Sequence, residues 1–188
     1  MKRKDAAKAR DIRAAAVETV QELGIAGLSM EAVARRAGVA TGTLYVYHAS
    51  KEALLDAVYL AIKSELAAAV FRDDGLPVRP GLLRMAGAYV DYLVEHRAEV
   101  AFTEQLKHST FLSAETRHAA EQGARALYDL LERGKRELLL KPLDTPIMIA
   151  FLQGAMRELS WALAGIPASK RAAVREQIAI LCWDGLKL

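Results

Sequence analysis

A chain of 188 residues, 53% hydrophobic and 26% charged, is long enough for a sizeable core and too apolar to be disordered. Its one cysteine, Cys182, excludes an internal disulfide and a thiolate metal cluster, reads as a buried apolar filler, and suits a reducing cytoplasm. The net charge of +3 is small, but residues 1 to 51 carry nine basic side chains against five acidic ones, a balance of +4 that leaves −1 for the rest, as expected of a domain that approaches phosphates.

Glycine and proline are few, and runs rich in Ala, Leu, Glu, Arg and Lys recur without alternating Val/Ile/Thr segments, so the expected fold class is all-α. Met1 to Asp5 is basic, but Asp11 and Arg13 intervene before any apolar stretch, and no secretory signal is expected. The most apolar run, Ile147 to Met156, contains Gln153 and is closed by Arg157 and Glu158. It falls short of the ~20 residues a membrane span requires, so a soluble cytoplasmic protein with no membrane partner is expected.

The first helix is predicted over Lys8 to Leu23, where Ile12, Ala15, Ala16, Thr19, Val20 and Leu23 recur at helical spacing. Gly24 and Gly27 interrupt it. Ser29 then reads as the N-cap of a second helix carrying Met30, Val33, Ala34 and Ala37, which Gly38 ends. A short third segment, Ala40 to His48, has Leu44 as its one clearly buried residue. Two helices of about two turns joined through a glycine make a helix-turn-helix candidate. Ser50 caps a fourth helix from Lys51, with its apolar stripe running from Leu54 to Val70, and Gly75 to Pro80 forms the clearest linker. Five further helices are predicted over Pro80 to His96, Arg97 to His108, Ala114 to Leu140, Thr145 to Ala164 and Ser169 to Trp183, nine in all. The break at His96 and Arg97 has neither Gly nor Pro to mark it.

The third segment carries the chemistry. A recognition helix has to be thin at its start so that it can approach base edges, and Ala40-Thr41-Gly42-Thr43 has that shape. Thr43, Tyr45 and Tyr47 offer hydroxyls to phosphates, and Lys51 offers a charge beside the start of the fourth helix. Val46 can meet a thymine methyl if Leu44 is buried.

Gly24, Ser29, Val33-Ala34, Ala37-Gly38-Val39, Gly42-Thr43-Leu44-Tyr45-Val46-Tyr47 and Ser50-Lys51-Glu52-Ala53-Leu54 together resemble the N-terminal pattern of the TetR family of bacterial regulators, over about residues 10 to 58. The resemblance implies a three-helix DNA-binding domain, residues 1–47, followed by a larger helical domain, residues 48–188, that binds an effector and dimerises. It implies a DNA-binding set of Ser29, Thr41, Gly42, Thr43, Tyr45, Val46, Tyr47 and Lys51, with Thr41, Gly42, Tyr45 and Val46 toward bases and Thr43, Tyr47 and Lys51 toward the backbone. The implied function is a ligand-responsive repressor that leaves double-stranded operator DNA when a small molecule binds. An activator, or a helical interaction protein without DNA activity, is the alternative. The chain departs from the pattern at Ala40, where Ser is usual, at Thr41 and Val46, where charged or polar residues are frequent, and at His48, where Phe is usual. These departures leave few side chains for direct hydrogen bonds to bases.

Elsewhere, Glu104 with His108 and His118 with Glu121 have metal-ligand spacing, but nothing supplies a third and fourth ligand, and no metal or cofactor is expected. No nucleophile elbow, phosphate loop or paired catalytic carboxylate occurs, so no enzymatic activity is expected. The larger domain is rich in Met and aromatic residues, which suits an apolar or aromatic effector. Tyr89, Phe102, Gln105 and Phe151 are its expected contacts, with His108 and Gln153 as further polar anchors. Gly87, Gly123 and Gly134 suggest a loosely closed core. A homodimer is expected through the last two helices, with Ala150, Gly154 and Trp161 on one and Val174, Ile178 and Leu181 on the other.

Overall fold

The computed structural model describes residues 2–188, and the side chains of residues 2–6, 164 and 168 stand outside the description. The expected basic contribution of Lys2, Arg3 and Lys4 and the reading of Met1 to Asp5 therefore lie outside the described side chains. Among the described residues ten α-helices follow one another: α1 (Lys2–Gly27), α2 (Met30–Arg36), α3 (Thr41–Tyr47), α4 (Lys51–Val70), α5 (Val78–Glu95), α6 (Arg97–Lys107), α7 (Ala114–Gln122), α8 (Arg125–Arg136), α9 (Thr145–Ala162) and α10 (Ala168–Leu186), with a 3₁₀ turn at Leu163–Gly165. The only strand-like pairing among them is an isolated antiparallel bridge between Leu140 and Lys187. No described helix is long and apolar enough to cross a membrane.

The chain packs as two compact units, Met1–Lys63 with Arg97–Ala120, and Ser64–His96 with Glu121–Leu188. Leu54, Leu55, Val58 and Ile62 of α4 and Phe102 and Leu106 of α6 share one apolar cluster with Ile12, Val33 and Leu44, so the short N-terminal helices do not close a core by themselves.

Within the first unit the predicted caps are in place. Ser29 Oγ accepts from the Ala32 amide at 3.1 Å, and Ser50 Oγ accepts from the Ala53 amide at 3.2 Å. Gly38 has φ +66. The Gly38 amide reaches Arg35 O at 3.3 Å and the Val39 amide reaches Ala34 O at 3.0 Å, the paired bonds by which a left-handed residue ends a helix. Gly24, at φ +69 and ψ 173, leaves helical geometry and breaks α1 at a kink, the interruption expected there.

The single helix predicted over Ala114 to Leu140 is corrected to two, α7 lying mostly in the first unit and α8 in the second. α7 stops at Gln122 and α8 begins at Arg125 and stops at Arg136. The chain then reverses through Leu138, at φ +56, with the Leu139 and Leu140 amides both donating to Gly134 O. A Cβ on Gly134 would lie 2.5 Å from Leu140 Cδ1 and 2.9 Å from Val78 Cγ1. Gly134 therefore marks tight packing, contrary to the loosely closed core expected from it. The unmarked break at His96 is real: His96 leaves helical geometry and its ring stacks on Tyr92, 4.2 Å between centroids.

Candidate nucleic-acid interface

α3 is seven residues long, and helical geometry sorts them unambiguously. At about 100° per residue, Gly42 and Val46 fall on the side opposite Leu44, Thr41 and Tyr45 fall on one flank, and Thr43 and Tyr47 on the other. Burial follows this wheel. Leu44 is fully buried, Thr41 and Thr43 are half-buried, and Tyr45, Val46 and Tyr47 are exposed, Val46 by 84%. A Cβ added to Gly42 would meet nothing within 4 Å. The glycine is thus not required by the fold, and it leaves the first turn of α3 thin on its exposed side.

Ala40 precedes α3 with extended backbone and no side-chain cap, as its methyl side chain dictates. Its carbonyl accepts from the Thr43 and Leu44 amides, at 2.9 and 3.2 Å, so the turn is held through backbone alone. The first amides of a helix have no partner one full turn back, and with Thr43 already bonded to Ala40 O and no capping hydroxyl, those of Thr41 and Gly42 are left over. Ser29, exposed, spends its hydroxyl on capping α2. His48 ends α3, half-buried, and burial pushes its imidazole below the ordinary value.

Of the eight residues expected at DNA, six lie along α3, Ser29 caps α2, and Lys51 turns toward the end of α1. Its Nζ donates to Ile25 O at 2.7 Å and to Ala26 O at 3.4 Å, and it sits 5.0 Å above the Phe111 ring centre. The ammonium tethers the carbonyl end of α1 to the start of α4. A helix C-terminus attracts a cation for the same reason that phosphate does, so sequence alone could not choose between the two.

Two further anchors were not legible. Arg36 binds Glu22 and lies 3.7 Å from Glu18, and its guanidinium holds the Glu22 carboxyl below the ordinary value. Glu18 and Glu22 stand four apart on one face of α1, which is visible in the sequence, but the partner on α2 is a tertiary matter. Arg13 reaches Glu99 of α6 at 2.6 Å. Arg13, Arg36 and Lys51 are therefore committed within the first unit, whereas Lys8, Arg10 and Arg35 remain exposed on it.

The four expected effector contacts are divided between the two units, Phe102 and Gln105 in the first and Tyr89 and Phe151 in the second. Phe102 is fully buried in the core of the first unit, and Gln105 is exposed on the same helix. Tyr89 is buried in the second unit beside Phe71, 6.1 Å between ring centres. Phe151 is 47% exposed, its ring edge 2.9 Å from where a Cβ on Gly185 would stand. Neither of two open cavities in the second unit, one between α5 and α8 and one between α5 and α10, is lined by any of the four. Among the described residues no three His, Cys, Asp or Glu side chains gather as a metal ion would need.

Residues 12–58 match the family described as bacterial regulatory proteins, tetR family. The whole chain is similar in structure to a TetR family transcription regulator from Marinobacter aquaeolei VT8, with a TM-score of 0.88 at 24% identity over 100% of this chain and 99% of that one. It is also similar to a TetR family protein from Vibrio parahaemolyticus, with a TM-score of 0.78 at 27% identity over 96% and 99%. A third likeness is to the TetR family transcriptional regulator PfmR from Thermus thermophilus, with a TM-score of 0.71 at 20% identity over 92% and 97%.

Proposed function

We propose, from the match of residues 12–58 to the tetR family of bacterial regulatory proteins, that this chain is a ligand-responsive repressor of transcription. In this reading it is a cytoplasmic homodimer that occupies double-stranded operator DNA through residues 1–47, with effector binding and dimerisation in residues 48–188. The observation that carries the DNA half is the exposed side of α3, where a bare Gly42 and an 84% exposed Val46 stand between hydroxyl-bearing flanks. Such a surface has little to gain in a protein core. It suits a groove in which a small face meets base edges and methyls while Thr43 and Tyr47 hold phosphates and set the register.

Dimerisation is supported by α9 and α10, which leave Ile147, Phe151, Trp161 and Leu181 between 47% and 64% exposed. A Cβ on Gly154 would meet nothing within 4 Å, so the glycine leaves room in which a second helix can approach closely. Ile178, expected on this face, is buried at 3% exposure inside the unit; Ile147 and Phe151 widen the face in its place. Two-fold symmetry then sets the two α3 helices about 34–36 Å apart, or a multiple of it. An effector releases the operator only to the extent that it binds the released state more tightly.

The test is selection from a random duplex pool by the full chain, followed by light scattering of the free and bound protein. Enrichment of a two-fold symmetric sequence, bound by a particle of twice the 20.5 kDa chain mass, is expected. No enrichment over the starting pool would overturn the reading.

A further inference from the structure

The second unit contains a cavity of about 340 Å³ between the turn after α4, the first half of α5 and the length of α8, a volume within the range of small-molecule sites. Its walls are built in two layers. Leu76, Met85 and Leu130 supply apolar surface, and four arginines with three aspartates supply charge. α5 and α8 close tightly behind it, since a Cβ on Gly81 would stand 3.4 Å from both Leu130 methyls.

The charged groups are not equivalent. Asp73 Oδ1 accepts from the Gly75 amide at 3.0 Å, in a turn fixed by the positive φ of Gly75. Arg84 donates to Val70 O at 3.2 Å and Arg72 O at 2.7 Å, ending α4, and its Nε lies 2.7 Å from Asp74 Oδ2. Asp129 is held by Arg125 at 3.0 Å. All three acids are thus engaged, and the Nε of Arg84, itself buried without a hydrogen-bond acceptor, is neutralised by Asp74 at 2.7 Å.

Arg133 differs. One of its amino groups donates to Leu76 O, which turns the guanidinium across the cavity, while its Nε is buried without a hydrogen-bond acceptor, the Glu137 carboxylate being 3.9 Å away. A guanidinium N–H removed from water without an acceptor is costly, and the cost is recovered when an anion enters. Arg136 brings a further guanidinium to the same wall.

We propose that this cavity binds a small organic carboxylate, an apolar body carrying a single negative charge, with the carboxylate on Arg133 and Arg136 and the body against Leu76, Met85 and Leu130. The planar guanidinium fork matches a carboxylate, and four arginines against three aspartates leave the one positive charge that a monoanion neutralises. Binding stands on the cavity alone, and its consequence for the operator rests on the function proposed above.

The experiment is calorimetric titration of the full chain with hexanoate, 4-phenylbutyrate and decanoate, each beside its neutral amide, and with inorganic phosphate. At least one carboxylate is expected to bind about ten or more times tighter than its amide and than phosphate, and Arg136→Gln to remove that advantage. Arg136 is exposed, so the variant keeps the fold even if Arg133→Met, which loses the bond to Leu76, does not. Equal binding of acid and amide, equal binding of phosphate, no binding of any of the three, or an unchanged Arg136→Gln would each overturn the proposal. Operator affinity measured with and without the bound carboxylate is read separately. A carboxylate that binds as described and leaves operator affinity unchanged removes the effector role while the site stands, and intact operator binding with no carboxylate bound removes the site while the DNA-binding role stands.

Discussion

The exposed side of α3 and the exposed side of α9 and α10 both turn away from the apolar cores, and their chemistry differs completely. The α3 side is narrow, with a glycine at its centre and a hydroxyl on nearly every flanking residue. The α9 and α10 side is broad and carries Ile147, Phe151, Trp161 and Leu181, whose only polar group is the indole N–H. Hydroxyls on a thin helix keep their value against a wet polyanion, where contacts to phosphate position the protein and small groups read the bases. Large apolar side chains gain only against a dry surface of similar kind, where aromatic anchors dominate the energy. In the function proposed above, the first face meets nucleic acid and the second meets protein.

The most severe way to break this contrast is a charge on the apolar face. Leu181→Glu should leave the monomer folded, because Leu181 is 60% exposed, and should weaken dimerisation at least ~100-fold, the equivalent of about 2.7 kcal/mol. Light scattering should then read one chain mass where the parent reads two, with operator binding lost alongside. A Leu181→Glu dimer of undiminished stability would show that the face is not an interface.

Gly42→Leu carries the complementary test to α3. With no atom within 4 Å of an added Cβ, the fold should tolerate the change or gain up to ~1 kcal/mol of helix propensity. Operator affinity should fall roughly 10-fold or more, because the side chain occupies the space a base edge needs. Unchanged affinity at unchanged stability, by fluorescence anisotropy and thermal melting, would place the contact elsewhere.

Lys51→Ala separates holding the reader from holding DNA. Loss of the bonds to Ile25 O and Ala26 O should cost about 1–2 kcal/mol of stability, read by urea denaturation. The slope of log affinity against log salt should stay within half a unit of the parent, whereas loss of a phosphate contact would lower it by ~0.9.

The smallest effect is expected at His48. Burial lowers its folded-state value below the ordinary 6.5, so the unfolded chain binds the proton more readily. Stability contributed by the neutral ring is therefore complete above about pH 6.5 and is lost as pH falls through that value toward the folded one. Melting temperatures between about pH 7 and pH 5 should fall more steeply in the parent than in His48→Phe, which cannot titrate; parallel curves would mean that His48 does not carry the dependence.

The sequence by itself determined the elements that local chemistry controls. Ser29 and Gly38 fixed the two ends of α2, and Ser50 the start of α4, because a capping hydroxyl or a left-handed residue acts over three or four positions. The spacing around Leu44 likewise fixed which side of α3 is exposed. The break inside Ala114 to Leu140 was missed because Gly123 stands in an otherwise helix-favouring run and no hydroxyl caps α8 at Ala124. Only the tertiary structure decided where long side chains are spent. Lys51 turned to the end of α1, Arg36 to Glu22, and Arg133 across a cavity to Leu76, since each has several acceptors within reach and the choice depends on which helix is packed beside it. The same holds for Phe102 and Phe151, one sealed in a core and the other on a surface. Aromatic content is visible in a sequence, but whether a ring fills space or lines it is set by neighbours far away along the chain.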